Sequence, residues 1–175
     1  MTPDALLPQI ADRLSHTPST ARSLIAGLPA DAIAFHETDR AWSVFDVVCH
    51  MADGEITDWM PRVRAIVSGD GHFPPYDREG GFARYKGRTL TAVVDEFERL
   101  RTQSLADLAA LQLTPATLAR TGVHPEFGPV TLQQLLATWV THDHAHLAQL
   151  SRILVRYYGQ DVGPWAKYFS LLATA

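Results

Sequence analysis

Apolar residues recur at intervals of three and four along four stretches of the chain, a spacing that places them on one face of an α-helix. The first stretch extends from Pro3 to Gly27. Because Pro18 lies inside it, we expect a kink or a restart of this helix near Thr17. The apolar face of the first helix consists of Leu7, Ile10, Leu14, Ala21, Leu24 and Leu28.

The second helix is predicted to begin at Ser43, a preferred N-cap residue, with Asp46 favourably placed in its first turn. Its apolar pattern fades by Ser68. A connection rich in glycine and proline follows from Gly69 to Arg88, and loops of more than about 15 residues are often functional or mobile. The apolar face of the second helix consists of Phe45, Val48, Cys49, Ala52, Ile56 and Trp59.

The third helix is predicted to begin near Thr89 or Thr91, and the fourth at Thr131, where Gln134 completes a capping box. Between them, residues 114–130 form a second connection rich in glycine and proline. The apolar faces consist of Val94, Phe97, Leu100, Leu108 and Leu111 in the third helix, and of Leu135, Leu136, Trp139, Leu147, Leu150, Ile153 and Leu154 in the fourth.

The fourth helix is predicted to extend to Tyr158, and a short C-terminal helix that packs on the others begins at Pro164. Trp165 in this segment is expected to cover the end of the bundle or a surface between subunits. The sequence shows no internal repeat and no alternation typical of β-strands. Four amphipathic helices bury their apolar faces in a four-helix bundle, so we predict an all-α fold with one domain over residues 1–175.

Charge and composition narrow the function classes. The chain has 15 Lys and Arg against 19 Asp and Glu, a formal charge of −4, which argues against a nucleic-acid-binding protein. No uncharged apolar run approaches the roughly 20 residues of a membrane span, and the first residues do not resemble a secretory signal. The single cysteine, Cys49, permits no internal disulfide. We therefore expect a cytoplasmic protein, with Cys49, Trp42 and Trp139 filling the core.

Two histidines in the fourth helix, His142 and His146, lie four residues apart and therefore project from one face. They are in register with Trp139 and Leu150, so we predict that both point inward. His144, two residues from each, is predicted to point outward. Buried imidazoles need partners, because an unpaired buried polar group costs about 1–3 kcal/mol. The pair therefore either forms hydrogen bonds within the core or binds a metal ion.

His50 is the natural third ligand, because it lies in the middle of the second helix beside the apolar face. Gly54, one turn later, lowers the steric bulk next to it. Three neutral imidazoles suit Zn²⁺, with water or substrate completing the coordination shell. Ni²⁺, Cu²⁺, Fe²⁺ and Mn²⁺ are alternatives that the sequence does not distinguish. The pair His142 and His146 lacks the glutamate of the HExxH metalloprotease motif.

The motifs that carry these histidines resemble a known family. Trp42 directly precedes the second helix, which reads His-Met-Ala-Asp-Gly-Glu over residues 50–55, and the fourth helix reads His-Asp-His-Ala-His-Leu-Ala-Gln over residues 142–149. In these motifs, and over nearly its whole length, the chain resembles the DinB/YfiT-like family of metal-binding four-helix bundles. The resemblance implies one divalent metal ion held by His50, His142 and His146, and a homodimer. Many members have a histidine immediately before the last ligand, where this chain has Ala145.

The activities known in that family are diverse. Some members are transferases or isomerases that use a low-molecular-weight thiol such as bacillithiol or mycothiol, and others are described as metal-dependent hydrolases. The resemblance implies a small-molecule substrate and either a metal-bound thiolate, with the thiol as co-substrate, or a metal-bound water as nucleophile. The alternative is a non-catalytic bundle in which a structural or regulatory metal joins the second helix to the fourth.

Proton transfer at such a centre needs a nearby acid or base. Asp53 and Asp143 are candidates for this role or for contacts with the ligands, and each is equally well explained as a solvated helix residue. Gln149 is a candidate hydrogen-bond partner of a ligand, with a polar edge residue as the alternative. Four side chains of the first long connection are candidates to meet an anionic substrate, with a solvated loop as the alternative: Tyr76, Arg84, Tyr85 and Lys86.

Overall fold

The computed structural model describes residues 3–73 and 75–172. The helices and strands are α1 (Pro3–Ile25), α2 (Ala30–Ile33), α3 (Val44–Thr57), α4 (Trp59–Ser68), α5 (Gly80–Arg84), α6 (Leu90–Ala110), α7 (Pro115–Leu118), β1 (Thr121–His124), β2 (Gly128–Thr131) and α8 (Leu132–Tyr158). Three short 3₁₀ turns follow α8, at Gly159–Asp161, Gly163–Tyr168 and Ser170–Leu172.

The long helices α1, α3, α6 and α8 form the predicted four-helix bundle. Around the bundle, α1 packs against α6, α6 against α3, α3 against α8, and α8 against α1. The first and last long helices are therefore neighbours. The predicted all-α bundle is confirmed, and the one sheet in the described residues has only two strands. No described helix combines the length and the apolar character that a membrane crossing requires.

The predicted helix starts are confirmed by their capping contacts. The Ser43 hydroxyl accepts a hydrogen bond from the Asp46 backbone N–H at 3.2 Å, and the Asp46 carboxylate accepts one from the Ser43 N–H at 2.9 Å. Thr131 and Gln134 form the same reciprocal pair at the start of α8. Thr89 caps α6. Each contact joins residues three positions apart, so the sequence alone was sufficient to predict it.

Of the kink or restart that the sequence predicted near Thr17, the restart was wrong, because α1 continues through Pro18. Proline has no backbone N–H, so the carbonyl of Leu14, four residues earlier, loses its helical hydrogen-bond partner. Arg101 of α6 replaces that partner, since its Nη1 donates to the Leu14 oxygen at 2.8 Å. A tertiary contact thus satisfies the group that the proline leaves free.

The second helix was predicted as one element from Ser43 to Ser68, and this was also wrong. It breaks at Asp58, where φ is −118° and ψ is −70°. After the break Trp59 lies over Gly54, where an added Cβ would be 3.2 Å from the indole nitrogen. The indole stacks on Trp139 of α8, with ring centroids 5.5 Å apart. Packing against α8 therefore accompanies the change in direction of the backbone.

The first long connection is folded rather than irregular, because it contains α5. Gly81 brings α5 against α3: a Cβ at this position would lie 2.7 Å from the Cys49 carbonyl oxygen and 2.9 Å from the Asp53 Cβ. Only glycine permits this close approach. As a result Tyr85, which follows α5, is 2% exposed and belongs to the core.

The second connection also differs from the prediction, since β1 and β2 form an antiparallel hairpin in which Thr121 pairs with Thr131. Strands of four residues are too short to show a clear alternation in the sequence. The C-terminal segment forms 3₁₀ turns instead of the predicted α-helix, and the last three residues of that prediction lie outside the described part of the chain. Ser170–Leu172 contacts α8, whereas Trp165 is 64% exposed and does not cover the bundle.

A layer of polar side chains crosses the middle of the bundle and separates two apolar clusters. On α8 the layer lies between Trp139 of one cluster and Leu150 of the other. On α6 it lies between Phe97 and Leu108. Its buried members are His50, Asp53 and Glu55 on α3, Arg101 and Ser104 on α6, Asp143 and His146 on α8, and Thr17 on α1.

Candidate metal centre

The three predicted histidine ligands come together in the polar layer. Nε2 of His50 lies 2.9 Å from Nε2 of His142, and one possible ligand atom from each of His50, His142 and His146 lies within 4.8 Å of the others. Within the described residues, these three form the cluster able to hold a metal ion. His144 is exposed, as the helical spacing predicted.

The hydrogen bonds behind the rings determine which nitrogen faces the centre. Nδ1 of His50 lies 3.0 Å from the backbone oxygen of Arg78, and Nδ1 of His146 lies 2.8 Å from Oε1 of Gln149. Both oxygens are acceptors, so each Nδ1 carries the proton and each Nε2 presents a lone pair. This is the tautomer that metal-ligating histidines adopt when a polar group orients them from behind.

Burial keeps two of the imidazoles neutral. It lowers the pKa of His50 to about 3, with His146 as the next cause, and lowers the pKa of His146 to about 4, with His142 as the next cause. Both rings therefore offer lone pairs to a metal ion at neutral pH without first releasing a proton. The donor set consists of imidazole nitrogens, which suits Zn²⁺ and neighbouring transition metals.

His142 forms the open side of the centre, because its side chain is 21% exposed. The indole of Trp59 meets it edge-on, with centroids 5.0 Å apart. Its Nδ1 lies 3.8 Å from Oδ1 of Asp143, beyond hydrogen-bond distance. A metal ion at Nε2 would place the ring proton on Nδ1, the atom that faces the Asp143 carboxylate.

Trp42 is not simply a core residue, as predicted, but a half-buried wall of the centre. Its ring centroid lies 4.8 Å from that of His50, and it stacks on His146 at 6.0 Å with 12° between the planes. Phe82 meets Trp42 edge-on at 5.3 Å. Two aromatic rings thus limit the access of water to this side of the histidines.

Neither candidate acid is the solvated residue that the sequence left as an alternative. Asp53 is buried, with Oδ1 at 2.6 Å from Nε of Arg84 and Oδ2 accepting from the Thr57 hydroxyl at 3.0 Å. Both carboxylate oxygens of Asp53 are therefore engaged. The ion pair between Asp53 and Arg84 joins α3 to α5 at the place where Gly81 allows the two helices to approach closely.

Asp143 is engaged by Arg101, whose Nη1 donates to Oδ2 at 2.6 Å and whose Nη2 donates to Oδ1 at 3.2 Å. Arg101 also donates through Nη2 to Glu55 Oε1 at 2.7 Å. Burial by itself would raise the pKa of Asp143, but His142 and Arg101 outweigh it and hold that pKa below its usual range. Asp143 thus lies behind His142 as an ionised carboxylate.

The four side chains of the first long connection that were candidates to meet a substrate lie in different environments. The hydroxyl of Tyr76 lies 3.3 Å from Nδ1 of His50, so this side chain contacts the ring of a proposed ligand from the side that faces away from the centre. Arg84 is paired with Asp53, Tyr85 is in the core, and Lys86 is exposed. The solvated-loop alternative therefore holds for Lys86 and fails for Tyr85.

Sequence reasoning missed Arg101, Glu55 and Arg78. A signal for Arg101 was present, because it follows Phe97 by four residues and precedes Leu108 by seven, in register with the core face. A charged residue at such a position requires buried partners of opposite charge. Arg78 had no comparable signal, since its position depends on how the loop folds.

Replacing Gln149 with leucine is expected to weaken metal binding about tenfold to a hundredfold, because the amide oxygen that orients His146 is lost. The measurement is the dissociation constant for Zn²⁺ in competition with a chelating dye. Gln149→Glu, which retains an acceptor for Nδ1, serves as the control and should bind more tightly than the leucine variant. Equal constants in wild type and Gln149→Leu would show that this contact does not hold the ligand.

A bundle with three converging histidines between its second and last long helices defines a class of metal-binding proteins. The sequence matches the DinB superfamily over residues 13–150, and the chain belongs to that superfamily. Among solved structures, it is similar to YfiT from Bacillus subtilis, with a TM-score of 0.77 and 20% identity over 91% of this chain and 90% of that one. YfiT is described as a probable metal-dependent hydrolase with an unusual four-helix bundle topology. No curated protein matches the chain.

Proposed function

We propose that this protein is a divalent-metal-dependent enzyme that acts on a small-molecule substrate, with His50, His142 and His146 as the metal ligands. The observation that carries the proposal is the convergence of three imidazoles whose rear nitrogens face oxygen atoms of the protein. The bound ion, with Zn²⁺ favoured over Ni²⁺, Fe²⁺ or Mn²⁺, would lower the pKa of a thiol or water ligand toward neutrality.

The number of ligands favours a catalytic over a structural metal. Structural zinc sites are closed by four protein ligands, whereas catalytic sites have three and leave a position for substrate or solvent. The candidate cluster contains three histidines within the described residues, and His142 is partly exposed. An open centre is therefore the better interpretation than a metal that only joins α3 to α8.

A thiol is the nucleophile that the surroundings of the centre favour. Asp53 and Asp143 are each paired with an arginine, so neither is free to take a proton from a water molecule. A thiol needs less help, since its pKa of about 8.5 is far closer to neutrality than that of water. We therefore propose a transferase that uses a low-molecular-weight thiol as co-substrate. The hydrolase, the second candidate, is favoured by the description of YfiT.

The chain's own residues orient the ligands and exclude water. The Arg78 carbonyl and the Gln149 amide fix the rings of His50 and His146. Trp42 covers the same two rings with an apolar surface. With an ion bound, the apolar surface of Trp42 would limit the access of bulk water on this side of the centre, which would strengthen electrostatic interactions there.

Conjugation of 2-mercaptoethanol to 1-chloro-2,4-dinitrobenzene at pH 7 tests the thiol proposal. Metal-loaded protein should accelerate the reaction at least about tenfold over His146→Ala, because only a small fraction of a free alkyl thiol is ionised at this pH. His144→Ala, on the exposed face of the same helix, is the control and should keep the wild-type rate. Equal rates in wild type and His146→Ala would contradict the proposal. Metal-dependent hydrolysis of p-nitrophenyl acetate without conjugation would favour the hydrolase.

A further inference from the structure

The carboxylates around the histidines are matched by arginines. In each of three ion pairs the closest nitrogen and oxygen are 2.6 Å apart. The two charges of each pair therefore largely neutralise each other and contribute little to binding an external ion. The three pairs are Asp53 with Arg84, Asp58 with Arg62, and Asp143 with Arg101.

Arg78 is the exception among the arginines near the centre. Its guanidinium carbon lies 5.3 Å from the ring centroid of Trp42, the residue that stacks on His146. In the described part of the chain, no carboxylate oxygen lies within 4.0 Å of its side-chain nitrogens. An unmatched cation therefore stands beside the metal ligands.

The position of Arg78 is held from two sides. Its backbone oxygen accepts the hydrogen bond from Nδ1 of His50, and its guanidinium lies on the Trp42 ring. The side chain is exposed, so its donors are open to a ligand. Tyr76 adds a hydroxyl at 3.3 Å from Nδ1 of His50. Because that nitrogen already donates to the Arg78 carbonyl, the Tyr76 O–H is free to donate elsewhere.

We propose that Arg78 binds a carboxylate group of the molecule that occupies the metal centre, with the Tyr76 hydroxyl as a second donor. The inference rests on the proposed function and names its substrate class: a small thiol or other ligand that carries a carboxylate. A guanidinium matches a carboxylate with two parallel hydrogen bonds. One arginine and one hydroxyl suit a single negative charge better than a phosphate dianion, which usually takes several cations. Arg84 and Lys86, the cations that the sequence suggested, do not fill this role.

The test compares two thiols of similar size, 3-mercaptopropionate with a carboxylate and 2-mercaptoethanol without one. Protein loaded with Co²⁺ is titrated with each thiol, and dissociation constants are taken from the sulfur-to-cobalt absorption band. Relative to wild type, Arg78→Ala should reduce the preference for 3-mercaptopropionate about tenfold, the value of one charge-assisted contact. The alanine variant retains the backbone oxygen that orients His50. Lys86→Ala, which removes an exposed cation of the same segment, should leave the preference unchanged.

The possible results distinguish a failure of the carboxylate site from a failure of the metal centre on which it rests. If Co²⁺ binds and the thiol band forms, but Arg78→Ala weakens both thiols equally or neither, the carboxylate site is overturned and the metal centre stands. If wild type binds no Co²⁺, the proposed function fails and the inference fails with it. Arg78→Lys, which keeps the charge without the planar pair of donors, should retain part of the preference and lose it at high salt.

Discussion

Substituting Arg101 with methionine is expected to lower the free energy of unfolding by about 3–5 kcal/mol, because it leaves two buried carboxylates without their cation. The Arg101 side chain is 2% exposed, and the side chains of its partners Glu55 and Asp143 are 0% and 2% exposed. The same substitution removes the donor to the Leu14 carbonyl that Pro18 leaves free. The helices α1, α3 and α8 therefore each lose a buried polar contact to α6.

Urea denaturation followed by circular dichroism measures this loss. Arg99→Met is the matched control on the same helix, because Arg99 is 62% exposed and, among the residues that the structure describes, forms an ion pair with Glu96 alone. Exposed pairs of this kind contribute about 0–1 kcal/mol, so the control should unfold near the wild-type midpoint. If Arg101→Met does not fold, Arg101→Lys retains the charge and should give a measurable intermediate stability. A loss below about 1 kcal/mol in Arg101→Met would contradict the interpretation of the polar layer.

Replacing His142 with alanine is expected to weaken Zn²⁺ binding about a hundredfold to a thousandfold, since each ligand contributes a large share of the binding free energy. The variant retains only His50 and His146, and two ligands bind a solvent-exposed ion more weakly than three. Because binding to the folded state raises stability, Zn²⁺ should raise the melting temperature of wild type more than that of the variant.

His144→Ala provides the control for this prediction. His144 is exposed and lies two residues from His142 on the same helix, so its loss removes one imidazole from the chain without touching the centre. Elemental analysis of protein purified without added metal, compared with His50→Ala, gives an independent measurement. Wild-type protein with a metal content near zero, or a His144→Ala variant as defective as His142→Ala, would contradict the assignment of the ligands.

The polar layer links these two predictions. Arg101 holds Asp143 behind His142, so the residue that stabilises the bundle also positions the carboxylate that faces a candidate ligand. The apolar clusters on both sides fix this layer at one level of the bundle. We therefore expect Arg101→Lys to weaken Zn²⁺ binding as well as stability, measured in the same dye competition.

Local features of the fold were accessible from the sequence alone. The capping boxes at Ser43 and Thr131 each join residues three positions apart, and helical spacing was sufficient to place His142 and His146 inward and His144 outward. Such contacts depend only on the geometry of one helix. The grouping with His50 was also anticipated, because a bundle packs the apolar faces of its helices against each other.

Only the tertiary structure decided what depends on contacts between elements. The continuity of α1 through Pro18 and the pairing of Asp53 with Arg84 each depend on a partner from another element. The break at Asp58 is a change in the backbone that accompanies packing against α8. The hairpin is too short to leave a periodic pattern. Arg78 reaches Trp42 because its loop folds against α3. The sequence by itself thus determined where the long helices begin and which histidines face inward as candidate ligands, whereas the charges around them were decided by packing, because an ion pair forms between residues that the fold brings together.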